Sequence, residues 1–176
     1  MDETTITAKA HEVPDPDWEK RSATLYRAWV QVRYHRRRQR FFDTVDKSSK
    51  ALTAMLGGAS IIGARLKEIE PLVGPAIALL SLLSLVYVYS DRKQTHKELA
   101  EQFAGVIAAI EQTPEGTESP QDVAKWASEY AKVVAKCPPA LKTLTIICEQ
   151  EQSISQGSEP ALNQPGLLAR MFANFF

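Results

Sequence analysis

A chain of 176 residues, 24% of them charged and with a mean hydropathy of -0.23, has room for one domain, or for a membrane hairpin with a modest soluble part. Its 21 basic and 21 acidic side chains cancel, so the molecule as a whole has no strong attraction to nucleic acid, and nucleic-acid binding is not expected. Two cysteines, Cys137 and Cys148, lack metal-ligand spacing and read as reduced thiols.

The first residues, MDETTITAKAHEV, are polar and acidic with no basic-then-apolar pattern, so no cleavable signal peptide is expected. Residues 1–16 read as a disordered N-terminus. Asp15 and Pro16 form a helix start, an acceptor for the free N–H groups followed by a residue suited to the first helical position. Trp18, Leu25, Trp29 and Val32 then recur on one helical stripe. The helix runs into RYHRRRQR, which places Arg33, Arg36, Arg37, Arg38 and Arg40 within eight residues. No glycine or proline interrupts the chain from Asp17 to Leu56, so one long helix is expected.

Ala51 to Ala64 carries no charge, nor does Pro71 to Ser90, and RLKEIE separates the two runs. Twenty apolar residues make a helix of about 30 Å, the thickness of a bilayer's hydrocarbon core. The first run gives only about 21 Å and reaches span length when Val45 to Lys50 is added, with Lys47 and Lys50 reaching back to the headgroups. The pattern reads as a transmembrane hairpin with spans at about 45–64 and 71–90, the alternative being a buried hairpin in a soluble bundle. Small residues four apart, such as Thr53 with Gly57 and Ala54 with Gly58, let helix backbones approach closely in lipid. Thr53, Gly57, Ser60 and Ala64 share one face. With Gly58 they are the candidate pore-lining or helix-packing residues.

Lysine and arginine crowd the chain before the first run and follow the second at Arg92, Lys93 and Lys97. The connecting loop holds only Arg65 and Lys67. Both termini are therefore expected in the cytoplasm. The arginine cluster serves as a positive-inside anchor, or as a contact for anionic headgroups or a nucleotide phosphate.

Leu99, Phe103, Val106 and Ile110 continue a helical stripe to about residue 112, completing a hairpin unit over 17–112. TPEGTESP is a linker, and Ser119-Pro120-Gln121-Asp122 starts another helix with Val123, Trp126, Tyr130 and Val133 on its apolar face. Cys137-Pro138-Pro139 stops it. A further helix from about 139 to 155 carries Leu141, Leu144, Ile147, Cys148 and Ile154, so 121–157 reads as a cytoplasmic helical pair. Residues 158–176 read as a linker and an amphipathic tail, with Leu167, Leu168, Met171, Phe172 and Phe175 on one face. That tail suits a membrane interface, the chain's own bundle or a neighbouring subunit. The fold class expected is all-α: a transmembrane helical hairpin whose long helices extend into the cytoplasm, with a small C-terminal helical region.

The chain shows no phosphate-binding glycine loop and no catalytic triad order. His11, His35 and His96 lie far apart in polar stretches, which argues against a metal site. Neither an enzyme nor a cofactor is expected.

Tyr34, His35, Arg36, Arg37 and Arg38, the small-residue run, the short polar loop, the Leu80 to Ser84 segment and SDRKQTHKELAEQF together resemble the SLATT superfamily of bacterial two-transmembrane proteins. The resemblance covers about residues 20–135. It implies an oligomeric effector of the inner membrane in antiviral defence or conflict signalling, a pore triggered by a nucleotide signal or a partner protein. A different class of function is a non-pore scaffold or adaptor, in which the hairpin only anchors and the C-terminal helices recruit a cytoplasmic partner.

Overall fold

The structure is a computed structural model describing residues 16–62, 74–79, 81–82, 89–158 and 165–175. Among these residues all regular structure is helical. The elements are α1 (Pro16–Ile62), α2 (Tyr89–Glu111), α3 (Pro120–Val134), α4 (Lys142–Ser155) and the single-turn α5 (Leu167–Met171).

α1 starts at Pro16 and continues unbroken for 47 residues, as the absence of helix breakers leads one to expect. Its first half is the spine of a four-helix arrangement and buries two adjacent stripes. Ala28 and Val32, with the half-buried Leu25 and Trp29, face Leu99, Phe103, Val106, Ile107 and Ile110 of α2 and Val123, Trp126 and Val133 of α3. Val30 and Tyr34, with the half-buried Tyr26, face Leu144, Ile147 and Cys148 of α4 and Ala173 of the tail. Arg21 reaches the last turn of α2 while Phe42 stacks near its start on His96, so α1 and α2 run antiparallel.

The helix ends follow their local chemistry. Ser119 caps α3: its hydroxyl accepts from the Asp122 N–H at 3.2 Å, and the Asp122 carboxylate accepts the Ser119 N–H at 3.1 Å. Arg21, buried against Trp126, donates to the carbonyls of Ile110 at 3.3 Å and Thr113 at 2.8 Å, placing a cation at the negative end of α2. α4 ends at Gly157, whose φ of 72° lets the Ser158 N–H return to the Ser153 carbonyl at 3.0 Å.

Several expectations need correction. Trp18 belongs to the stripe by spacing but is 48% exposed, because the partner helices stop at the level of Arg21. The fourth helix begins at Lys142, not near 139, since Pro138 and Pro139 favour extended backbone before Leu141. Ile154 is exposed, on the side of α4 away from α1. Among the described residues no helix is long and apolar enough to cross a membrane. The expected first span lies in α1 up to Ile62, but Asp46, Lys47 and Lys50 leave only 51–62 uncharged there, about 18 Å of helix. Much of the expected second span (71–73, 80 and 83–88), the connecting loop 63–70 with Ala64, the N-terminal 1–15 and the linker 159–164 lie outside the described residues.

Candidate anion cleft and histidine pair

The sequence separates His35 and His96 by 61 residues and sets both in polar runs, yet the fold brings them together in the core. Their Nδ1 atoms are 2.8 Å apart, a distance that requires one ring to donate and the other to accept. Phe103 stacks on His35 with ring centres 5.7 Å apart, and Phe42 stacks on His96 at 5.6 Å. The Cys137 sulfur lies 3.5 Å from His35 Nε2 and equally far from the Val133 carbonyl. Two proton arrangements fit. In one, the Cys137 thiol donates to His35, His35 donates to His96, and His96 presents Nε2–H. In the other, every donor is reversed and the thiol donates to Val133. Burial, followed by the mutual repulsion of the rings, holds His35 down at about 4; burial and then Arg38 and Arg92 do the same for His96. Both imidazoles are therefore neutral at pH 7. Among the described residues no group of three or more His, Cys, Asp and Glu side chains is arranged to hold a metal ion.

His96 also forms part of the wall of a cleft of about 560 Å³. Tyr34 and Arg38 come from α1, and Arg92, Thr95 and His96 from α2. Pro138, Pro139 and Leu141 come from the α3–α4 connection, and Asn174 and Phe175 from the tail. The connection is fixed by the Leu141 N–H donating to the Tyr34 hydroxyl at 3.1 Å. The tail is fixed by Arg38, which donates to the Asn174 carbonyl at 2.6 Å.

Among the described residues, two guanidinium groups and no carboxylate line this cleft. Arg38 stacks over Phe42, 4.5 Å from the ring centre, and burial draws its pKa below the usual arginine range, with Arg92 adding repulsion. A negative ligand would relieve both effects. The electrostatics favour an anion able to accept from two arginines, with a proline and aromatic wall for any apolar portion.

The arginine cluster is thus divided among separate tasks. Arg33 donates to Gln152 at 2.7 Å and to Ser155 at 3.2 Å, and Arg37 pairs with Glu151. These two bind α4 to α1, a structural role that the run of basic letters did not reveal. Arg38 belongs to the cleft, while Arg36 and Arg40 are exposed. Arg92, Thr95 and His96 are site residues that sequence reasoning did not select. The available signal was their position in the first turns of α2, just beyond the second apolar run.

The small-residue set lies on the distal part of α1. Thr53 is half-buried and donates to the Ser49 carbonyl at 2.9 Å. Gly57 and Ser60 lie in the helix, and Ala64 lies outside the described residues. A Cβ on Gly58 would meet no atom within 4 Å among the described residues, so nothing described packs closely on it. The fold brings neither Thr53 nor Gly58 to the cleft.

No family model, curated protein or solved structure matches the chain.

Proposed function

We propose that this chain is an oligomeric, pore-forming effector of the bacterial inner membrane, a helical hairpin with both termini cytoplasmic, gated by an anionic ligand such as a nucleotide in the Arg38–Arg92 cleft. The observation that carries this reading is continuity. α1 holds Tyr34 and Arg38 in the cleft wall and extends without interruption to Thr53, Gly57 and Gly58. α2 places Arg92, Thr95 and His96 within eight residues of its first residue, Tyr89, directly after the second apolar run. A ligand held between the two helices changes how they lie against each other, and both helices lead to the candidate spans. Leu52, Met55, Leu79 and Leu82, all from those runs, are exposed large apolar side chains that lipid or neighbouring subunits would cover. Among the described residues nothing packs within 4 Å of a Cβ at Gly58, which suits close approach of a second helix there.

The test is induced expression in bacteria with a membrane-potential dye, after carbonate washing has established membrane retention. Depolarisation by the native chain, abolished by Gly58→Leu without loss of retention, is the expected result. Retention without depolarisation, with the anion supplied, would reduce the hairpin to the anchor of an adaptor. A protein washed off by carbonate would replace the hairpin with a soluble bundle.

A further inference from the structure

The tail that closes the cleft has its apolar side chains on the wrong side for a core. Leu167 is 82% exposed, Leu168 73%, Phe172 50% and Phe175 61%, while the small Ala173 is the residue buried against α1 and α4. The segment does not hang loose. Arg38 binds the Asn174 carbonyl, and Phe175 meets Phe41 edge-on with ring centres 5.2 Å apart. It is docked on α1 with Leu167, Leu168 and Phe172 facing outward.

Its position along α1 identifies what covers that face. On the proposed span of about 45–64, with Lys47 and Lys50 reaching to the headgroups, the clamp engages α1 from Arg38 to Phe41, within about 10 Å of the lipid entry at Val45. The interfacial layer on each side of a bilayer is about 5–7 Å thick, so the tail stands at headgroup level. Beside it runs a groove of about 300 Å³ whose walls among the described residues include Arg40, Arg170 and Arg37, the last paired with Glu151, and no carboxylate. Arg40 and Arg170 form no ion pair among the described residues. An outward apolar face flanked by unpaired arginines matches acyl chains beneath anionic headgroups.

We infer that residues 167–175 lie in the cytoplasmic leaflet as an interfacial foot, with Leu167, Leu168 and Phe172 among the acyl chains and Arg40 and Arg170 on anionic lipid headgroups. This rests on the hairpin reading above. It also means that one wall of the cleft, formed by Asn174 and Phe175, stands at the membrane surface.

The experiment uses the full chain in phosphatidylglycerol-containing vesicles. Leu168→Cys, and separately Leu167→Cys, carries an environment-sensitive nitrobenzoxadiazole label, with Glu115→Cys at the far end of the bundle as the water-exposed control. Labelling is selective at pH 7, because burial pushes the Cys148 thiol up to about 11 and also raises that of Cys137. The unsubstituted chain serves as blank. The expected result is blue-shifted emission at 167 and 168, quenched by lipids with a shallow nitroxide, with no such change at 115 and a weaker effect in phosphatidylcholine alone. Labels at 167 and 168 that behave like 115 in carbonate-resistant vesicles overturn the inference and leave the hairpin standing. A blue-shifted label that nitroxide lipids do not quench means a second copy covers the face, which also overturns it. Equal quenching in phosphatidylcholine alone overturns the role of Arg40 and Arg170. Loss of the protein to carbonate overturns the hairpin reading and this inference together.

Discussion

Acidification should weaken this fold through the His35–His96 pair. An imidazole in the unfolded chain takes a proton at about 6.5, whereas burial holds both rings down at about 4 in the folded chain. Between those values the unfolded state binds more protons, so stability falls as pH falls and the loss is complete below about 4. At about 1.4 kcal/mol per pH unit, the first proton is worth about 3 kcal/mol at most, and at pH 5 about 2 kcal/mol of it is already lost. Among the described residues no carboxylate is hydrogen-bonded to either ring to compensate. The charged groups that set the pair's potential are Arg38 on α1 and Arg92 on α2, and both oppose protonation. The assay is thermal unfolding of the detergent-solubilised full chain, followed by tryptophan emission from Trp29 and Trp126, at pH 7.5, 6.0 and 5.0. A double variant, His35→Asn with His96→Gln, removes the titration and should flatten the profile over this range, whatever its absolute stability. Native stability that is constant from pH 7.5 to 5.0, or a slope that survives in the double variant, would refute the reasoning.

Arg92→Gln should reduce the affinity of the cleft for inorganic pyrophosphate by about tenfold to a hundredfold, the worth of a charge-assisted hydrogen bond, as read by calorimetric titration. Arg36→Gln, outside the cleft, should leave that affinity unchanged. Ser119→Ala removes one side of the capping box on α3 and should cost about 1 kcal/mol, measurable as a lower denaturation midpoint in urea.

Periodicity made the α1–α2–α3 core legible, because Leu99, Phe103, Val106 and Ile110, like Val123, Trp126 and Val133, each form one clean stripe against polar neighbours. The α4 contact was not legible in the same way. Tyr26, Val30 and Tyr34 form a second stripe beside the first, interleaved with arginines, and two adjacent stripes blur into a general mixture. Arg33 and Arg37 looked like surface charge because a sequence does not show that Gln152 and Glu151 will stand opposite them. The histidine pair was hidden for the related reason that a contact across 61 residues leaves no local periodic trace. Once Leu99 and Phe103 are assigned to the core, however, His96 falls one turn earlier on the same face. The tail's amphipathic pattern was visible, but not that the backbone and Ala173 would do the docking.

At 47 residues α1 is a rod of about 70 Å, and Phe42, the last buried side chain described along it, is the natural pivot for any tilt against α2. From there to Ile62 is about 30 Å of uninterrupted helix. A tilt of about 10° at the pivot therefore swings Ile62 sideways by about 5 Å, whereas Arg38, about 6 Å from the fulcrum, moves by about 1 Å. On the proposed reading, small adjustments around a ligand at Arg38 would be multiplied about fivefold at Ile62, with no glycine to absorb the motion before Gly57.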